Sequence, residues 1–390
     1  MRAGDVIHGY TLLEDFRVVG AGLSEWSFAE REGREFFIKR FLSPTYPDDA
    51  APGSPKTKAA KRARCAAFEA HHRGIQKALA PVTSYGGNLI ATLDFFRAGA
   101  KYYKVTEKVD LAGLEAADVA TLPFPAQLVL LKTVAHSLKI LHDLDIVHSD
   151  LKPNNVMIKR TELGYTTKLI DFDSSYIVGH PPPPEEIVGT MNYYSPELVQ
   201  YIQGSGSSSQ LTEASDIFAL GLIYTEYLTG SAPPFDPAHH EPAIAVLNGE
   251  TLRLASPSLP APLVALVESM MSAEPADRPH VGDVHASLMG LRSGPSTTRA
   301  TPRPSALRTS VRSAAAPRKS GPVAAPSTSS LRGKGLRLAT TARTTPPAES
   351  EPTSATPATA TPLGAASGAV RRGGRVLLGK LLSRLEERRR

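Results

Sequence analysis

Apolar residues in the first hundred positions fall in short runs, and further along the chain they recur at helical spacing. Between residues 10 and 107, β-favouring runs such as REFFIKRF and KYYKVTEKV are separated by glycine or charged turns. One helical segment, CAAFEAHHRGIQKAL, interrupts these runs. From residue 124 to 293 the pattern is mostly helical, as in PAQLVLLKTVAHSLKILHDL. The pattern predicts an α+β protein in which a small β-rich lobe precedes a larger helical lobe.

This periodicity ends at about residue 293. Residues 294–367 consist mostly of Pro, Ala, Ser, Thr, Gly and Arg and contain no aromatic residue. Such a segment buries too little apolar surface to offset the loss of chain entropy, so we predict a disordered linker. In residues 368–390, leucines recur on one helical face among arginines. This pattern predicts a basic amphipathic helix that lies on an anionic membrane or docks on a partner; the alternative is a helix that forms only in part.

Charge is divided unevenly between these regions. Residues 292–390 hold 19 Lys and Arg against 4 Asp and Glu, a net charge of +15, whereas residues 1–291 hold 25 against 34, a net charge of −9. The excess positive charge therefore lies in one tail, and we predict no specific nucleic-acid-binding surface.

The cysteine content and the hydropathy of the chain indicate the cellular compartment in which we expect the protein. The single cysteine, Cys65, excludes an intramolecular disulfide framework and fits a reducing cytosol. The N-terminus lacks the apolar segment of a signal peptide, and no apolar run approaches the ~18 residues of a membrane span. We expect a cytoplasmic protein, with peripheral membrane contact through residues 371–390 as a further expectation.

The stretch IVHSDLKPNNVMI carries the strongest chemical signal. It has the order H-x-D-x-K-x-x-N, with Asp150, Lys152 and Asn155. An aspartate on a loop orients a hydroxyl or accepts its proton, and a lysine two residues later neutralises a phosphate in transfer. Asn155 offers an oxygen to a divalent cation, and Asp171, at the end of the apolar strand in KLIDFDSS, supplies an anionic ligand. This pattern indicates phosphoryl transfer.

Six segments in chain order resemble the eukaryotic-type (Hanks-type) serine/threonine protein kinase family. They are VVGAGLSEW, FFIKR, AFEAHH, HSDLKPNN, IDFD and GTMNYYSPEL. The resemblance implies a bilobal protein-kinase-like fold over residues 10–293, with an N-lobe at 10–107, a C-lobe at 108–293 and an N-terminal extension at 1–9. The Ala-, Arg- and Pro-rich composition favours a bacterial member.

The resemblance implies ATP and Mg²⁺ or Mn²⁺ as cofactors and proteins bearing Ser or Thr as substrates. In this scheme Lys39 holds the α/β-phosphates and pairs with Glu69, whereas Arg278 pairs with Glu197. A bond from Lys152 to Thr190 would favour serine/threonine over tyrosine acceptors. The implied residues are, for catalysis, Asp150 and Lys152; for the metal, Asn155 and Asp171; for ATP, Gly20, Gly22, Trp26, Lys39, Glu69, Glu107 and Val109; for the activation segment, Thr190 and Glu197; and for structure, Asp216 and Arg278.

Three positions depart from the family pattern. The third glycine of the Gly-rich segment is missing, with Ser24 and Glu25 near its place, which predicts a phosphate-covering loop one residue shorter than that of the family. The sequence GAG is a weak signal by itself, so an ordinary hairpin turn stays an alternative there. Asp173 stands where glycine is usual, which adds a charge near the metal and removes a flexible hinge. Ser149 replaces the arginine of H-R-D, and we therefore expect activity that does not depend on activation-loop phosphorylation.

Parts of the sequence bear on two other function classes. A pseudokinase, a nucleotide-regulated interaction module on the same fold, is favoured by the unusual Gly-rich segment and by Asp173. A small-molecule phosphotransferase is disfavoured, because GTMNYYSPE resembles a segment that binds peptide substrates. The basic segment at 56–64 either binds phosphate or a partner, or is a solvated face.

The tail also contains hydroxyl residues near arginines. Autophosphorylation there would recruit phosphothreonine-reading domains or weaken the attraction of the tail to a membrane. The candidate acceptors are Thr309, Ser310, Ser313, Thr344 and Thr345.

Overall fold

The structure of the chain is a computed structural model. It describes residues 1–19, 24–48, 50, 52–83, 87–109, 113–162, 164–256 and 258–291. The predicted linker at 294–367 and the predicted amphipathic helix at 368–390 lie outside the described residues. Within the described ranges, no helix is long and apolar enough to span a membrane.

The first part of the chain forms an antiparallel sheet in the order β1-β2-β4-β5-β7-β6, with β3 paired to β4. Its strands are β1 (Val6–Ile7), β2 (Tyr10–Leu12), β3 (Arg17–Val19), β4 (Ser24–Arg31), β5 (Arg34–Phe41), β6 (Asp94–Ala98) and β7 (Lys101–Glu107). The described part of the β-favouring run YTLLEDFRVVG is divided between β2 and β3.

Strands β4 and β5 form a hairpin whose two faces differ in character. Glu32 and Gly33 both have positive φ, 55° and 73°, which is the geometry of a tight two-residue turn. On one face Ala29, Phe36 and Ile38 are buried in the core of the small lobe. On the opposite face, side chains from alternate positions point toward the helical lobe. This second face carries Lys39 and the aromatic residues near it.

Helix α1 (Pro55–Thr83) connects β5 to β6 and begins ten residues before the predicted helix. The extension is explained by its Lys, Ala and Arg residues, which favour helix strongly, and by Pro55 at the first helical position. Cys65, Ile75 and Leu79 lie on the buried stripe, whereas Lys61 in the basic segment is exposed.

The second part of the chain is mainly helical. Around the loop that follows α3, short antiparallel pairs β8–β11 and β9–β10 shape the surface that faces the small lobe. The elements are α2 (Ala116–Ala120), α3 (Phe124–His142), β8 (Ile146–Val147), β9 (Val156–Thr161), β10 (Gly164–Leu169), β11 (Tyr176–Ile177), α4 (Pro196–Ile202), α5 (Ala214–Thr229), α6 (Pro242–Leu247), α7 (Ala261–Met270) and α8 (Val281–Gly290). The predicted α+β architecture of two lobes is confirmed.

Candidate active site

The loop between β8 and β9 is held by a buried carboxylate of helix α5. The backbone N–H groups of His148 and Ser149 donate to the two oxygens of Asp216 at 2.7 and 2.9 Å, and His142 Nε2 lies 3.1 Å from Oδ2. Asp216 is 2% exposed. Ser149 has a φ of 67°, a left-handed conformation that costs a non-glycine residue about 1–2 kcal/mol. The bonds to Asp216 offset this strain and hold the loop in one conformation.

Asp150 is the centre of a polar cluster at the end of this loop. Its Oδ2 accepts from Lys152 Nζ at 2.7 Å and from Asn155 Nδ2 at 3.3 Å, and its Oδ1 accepts from the Thr190 N–H at 3.1 Å. Lys152 Nζ also donates to Thr190 Oγ1 at 2.8 Å. A hydroxyl that approaches Asp150 therefore meets a carboxylate and an ammonium group together.

Asn155 and Asp171 supply oxygens that suit a hard cation such as Mg²⁺. The Ile170 N–H donates to the Asn155 backbone oxygen at 3.0 Å, which brings Asp171, the next residue, beside it. Asn155 Nδ2 donates to the Asp150 backbone oxygen at 2.7 Å, so Oδ1 of the same amide points away from that bond. Among the described residues, no group of three or more His, Cys, Asp and Glu could hold a metal. The two oxygens fit a metal that takes its other ligands from water and nucleotide phosphates.

Asp171 and Asp173 form a compact cluster with two lysines of the sheet. Lys39 Nζ lies 3.0 Å from both carboxylate oxygens of Asp171 and 2.6 Å from Asp173 Oδ2. Lys104 Nζ lies 3.1 Å from Asp171 Oδ1 and also bonds Asp173 Oδ1. Burial disfavours the charged carboxylate, but the charges of Lys104 and Lys39 outweigh it and hold the pKa of Asp173 well below its usual range.

The pairing expected between Lys39 and Glu69 is not formed, and this part of the sequence prediction is corrected. Lys39 is bonded to the two aspartates, whereas Glu69 Oε1 accepts from the Tyr102 hydroxyl at 2.6 Å. The physical reason lies in the packing of helix α1. Its stripe facing Asp173 carries His72, whose Nδ1 is 3.9 Å from Asp173 Oδ1, and Glu69 faces β7 instead.

Lys104 was missed by the sequence reasoning. It lies on β7 directly opposite Lys39 of β5, and Lys39 is in turn opposite Trp26 of β4. Cross-strand partners share a face of the sheet, so the three side chains form one row. Lys104 is 5% exposed. The available signal was a lysine two positions before Thr106, flanked by Tyr103 and Val105.

Of the other residues expected to bind ATP, Trp26 lies on the face of the sheet that carries Lys39, whereas Glu107 lies opposite Phe36 on the other face. Trp26 stacks on Phe37 with ring centroids 5.6 Å apart and meets Phe28 edge-on at 5.3 Å. Glu107 ends β7, and its side chain accepts from Lys168 Nζ at 2.6 Å. Val109 follows and is partly buried. The arrangement offers a flat aromatic surface beside Lys39. Gly20 and Gly22 of the predicted phosphate-covering loop lie outside the described residues.

The segment after Asp171 ends at an ion pair within the helical lobe. Arg278 donates from both terminal nitrogens to the two oxygens of Glu197 at 2.8 Å each, and Ser215 Oγ donates to Glu197 Oε1 at 2.8 Å. Glu197 and Arg278 are 2% and 5% exposed. The pair joins the start of α4 to the turn before α8 and so fixes the segment that carries Thr190.

Three features define the protein kinase class of fold: a β-rich lobe, a helical lobe, and a loop between β8 and β9 that brings Asp150 and Asn155 close to Asp171. The family model described as "Protein kinase domain" matches residues 76–287, which is 212 of the 390 residues. The chain belongs to this family. The match begins inside helix α1, after Lys39 and Glu69.

The chain is similar to several protein kinases, among them two that are named as serine/threonine-protein kinases. Serine/threonine-protein kinase AfsK from Streptomyces coelicolor is 36% identical over 170 residues, which are 43% of this chain and 20% of AfsK. Aurora kinase from Saccharomyces cerevisiae is 30% identical over 166 residues, 42% of this chain and 41% of that protein. PknA from Corynebacterium glutamicum is 30% identical over 152 residues, 38% of this chain and 29% of PknA. The chain thus spans less than half of the length of these relatives.

Proposed function

We propose that this chain is an ATP-dependent serine/threonine protein kinase that transfers the γ-phosphoryl group of ATP, in line, to a Ser or Thr hydroxyl of a protein substrate. The observation that carries the proposal is the cluster in which Asp150 contacts Lys152, Thr190 and Asn155. Asp171 follows Ile170, whose backbone N–H donates to the Asn155 backbone oxygen at 3.0 Å. Membership of the protein kinase family supports the same reaction class.

Asp150 orients the substrate hydroxyl and receives its proton. Among the described residues, Oδ1 accepts a bond only from the Thr190 N–H, so it keeps a lone pair for the hydroxyl. Lys152 Nζ, 2.7 Å from Oδ2, stabilises the negative charge on the group in transfer. Lys39 holds the nucleotide phosphates. A bound Mg²⁺ or Mn²⁺, with Asn155 and Asp171 as protein ligands, would neutralise charge on the phosphates.

The contact between Lys152 and Thr190 supports serine or threonine as the acceptor. Their bond of 2.8 Å matches the expectation drawn from the family resemblance. The names of the relatives, AfsK and PknA among them, favour the same acceptor class.

Activity independent of activation-loop phosphorylation is a further part of the proposal. The segment is held by direct contacts: β11 pairs with β8, Ser174 Oγ donates to the Val188 oxygen at 3.0 Å, and the Tyr201 hydroxyl donates to the Pro182 oxygen at 3.3 Å. Ser149 offers no positive charge that would bind a phosphate. These contacts support a segment ordered by packing and hydrogen bonds.

The pseudokinase alternative is favoured by one observation, the engagement of Asp171 by Lys39 and Lys104. Transfer of labelled phosphate from Mg-ATP to a generic basic protein separates the two functions. We expect transfer by the wild-type chain and a loss of about 10²–10⁴-fold in kcat for Asp150→Asn, because this variant removes the group that accepts the proton. Nucleotide affinity should stay within about twofold, since Asp150 contacts the acceptor side of the site.

Nucleotide binding is measured in parallel as the rise in melting temperature with Mg-ATP. No transfer by the wild-type chain, together with a melting temperature that nucleotide leaves unchanged, would refute the kinase proposal. Binding without transfer would favour the nucleotide-regulated module.

The proposed partners of the tail rest on composition alone. Residues 294–390, with their candidate phosphoacceptors and the predicted membrane-contacting helix, lie outside the described residues. Mass spectrometry of the wild-type chain and of Asp150→Asn after incubation with Mg-ATP tests the autophosphorylation proposal. An unmodified tail in the wild-type chain would contradict it.

A further inference from the structure

Lys39 is held by the second aspartate of the DFD sequence and by no carboxylate of helix α1. Its Nζ is closer to Asp173 Oδ2, at 2.6 Å, than to either oxygen of Asp171, at 3.0 Å. The carboxylate of Glu69 is engaged by the Tyr102 hydroxyl at 2.6 Å. Lys39 therefore already has a close anionic partner that differs from the expected one.

Asp173 is fixed from several directions. Lys39 of β5 and Lys104 of β7 bind its carboxylate, and His71 Nε2 of α1 lies 3.1 Å from its backbone oxygen. The turn that carries it is anchored by Phe172, which is buried in the core of the helical lobe. Asp173 thus keeps its place through contacts with both lobes, and none of these contacts requires a nucleotide.

Lys104 balances the charge that Asp173 adds. The side chains of Lys39 and Lys104 are 16% and 6% exposed, and those of Asp171 and Asp173 are 33% and 18% exposed. With Lys39 as the only cation, two carboxylates would share one positive charge. The second lysine makes the cluster neutral, so Asp171, the more exposed aspartate, can turn to a metal while Asp173 remains paired.

We propose that Asp173, with Lys104 as its fixed counter-ion, is the positioning residue that orients Lys39 toward the nucleotide phosphates in place of Glu69. This inference rests on the proposed kinase function and names a residue that acts through Lys39. When Asp171 leaves Lys39 for the metal, the contact with Asp173 keeps the ammonium group in the cleft. The affinity for Mg-ATP therefore depends on Asp173 more than on Glu69.

Two isosteric substitutions that each remove one negative charge test the proposal. Mg-ATP is titrated into the full-length chain, and binding is followed by the fluorescence of Trp26, the single tryptophan, which lies opposite Lys39 in the sheet. Asp173→Asn should weaken binding about tenfold, and Glu69→Gln by less than about threefold. An effect of Glu69→Gln equal to or larger than that of Asp173→Asn would overturn the proposal.

Asp173→Asn leaves Lys104 with Asp171 as its one remaining carboxylate partner, at 3.1 Å, and so lowers the stability of the chain. The double variant Lys104→Met/Asp173→Asn removes both charges, which costs much less than removing one. It should fold, as judged by its melting temperature, and still bind Mg-ATP about tenfold more weakly than Lys104→Met alone, which keeps Asp173. Equal affinity of Lys104→Met and Lys104→Met/Asp173→Asn for Mg-ATP would overturn the positioning role. A pair with a structural role alone would change the melting temperature without changing the affinity of the folded chain for Mg-ATP.

Binding and phosphate transfer are scored separately. If the wild-type chain binds Mg-ATP with the expected pattern of variants but transfers no phosphate, the kinase proposal fails and the role of Asp173 stands. If the wild-type chain binds no Mg-ATP, both proposals are overturned.

Discussion

The guanidinium group of Arg278 uses all five of its N–H groups inside the helical lobe. Two donate to Glu197 at 2.8 Å, and the other three donate to the backbone oxygens of Ser272, Ala214 and Ala273 at 2.9, 2.8 and 3.0 Å. The side chain itself is 0% exposed. Water therefore cannot replace these bonds, and the loss of the side chain should be costly.

The substitution Arg278→Met leaves a buried carboxylate and three backbone oxygens without their donor. Removal of one partner from a buried ion pair lowers the free energy of unfolding by about 3–5 kcal/mol. The orphaned carbonyls place this variant at the upper end of the range. Arg278→Lys keeps the charge, but an ammonium group has three N–H donors for five bonds. We expect Arg278→Lys to lower the free energy of unfolding by about 2 kcal/mol.

Urea unfolding followed by far-UV circular dichroism measures these changes. Arg253→Met is the matched control, because Arg253 pairs with Glu268 at the same 2.8 Å while 64% exposed. An exposed pair of this kind contributes about 0.2–1 kcal/mol. If Arg278→Met is no more destabilising than Arg253→Met, the argument from burial and complete hydrogen bonding is wrong.

Three further predictions concern activity, pH and packing. Thr190→Val removes the hydroxyl that accepts from Lys152 and should lower kcat about tenfold at unchanged ATP affinity, measured by steady-state transfer assays. Burial lowers the pKa of His72 to about 4, so the folded chain keeps this ring neutral where the unfolded chain protonates it. The free energy of unfolding should therefore fall as pH drops from about 6.5 to 4. In urea titrations over that window, the free energy of unfolding of His72→Phe should fall by about 3 kcal/mol less than that of the wild-type chain. Gly221→Ala would place a Cβ 2.7 Å from Met271 Cγ and should destabilise the chain by about 1–3 kcal/mol in the same assay, with an unchanged midpoint as the contradicting result.

Local spacing allowed most of the catalytic loop to be predicted. Asp150, Lys152 and Asn155 lie within six residues on one loop, so their proximity follows from the chain itself. Asp171 could be added because it follows the apolar residues Leu169 and Ile170 at the end of β10, whose partner β9 follows that loop directly. The α+β division followed from the change of hydrophobic period near residue 107.

The ion pairing of Lys39 could not be predicted from spacing. Whether Glu69 or His72 faces Asp173 depends on the rotation of the 29-residue helix α1 about its axis, which is decided by packing against β7. The role of Lys104 was not predicted from the sequence, because a lysine on a strand usually projects into solvent. Only the register between β5 and β7 brings it opposite Lys39. Long-range partners of this kind need the three-dimensional structure.

Asp216 has a consequence for the dynamics of the loop that carries Asp150. Helix α5 is central to the helical core, so it separates from its surroundings only when that core opens. The amide hydrogens of His148 and Ser149 are bonded to its carboxylate and should exchange with solvent as slowly as those of the core. The loop lies beside the cleft, yet by hydrogen exchange it should open together with the core of the helical lobe, as one cooperative unit. Opening and closing of the cleft would leave it unmoved within the helical lobe.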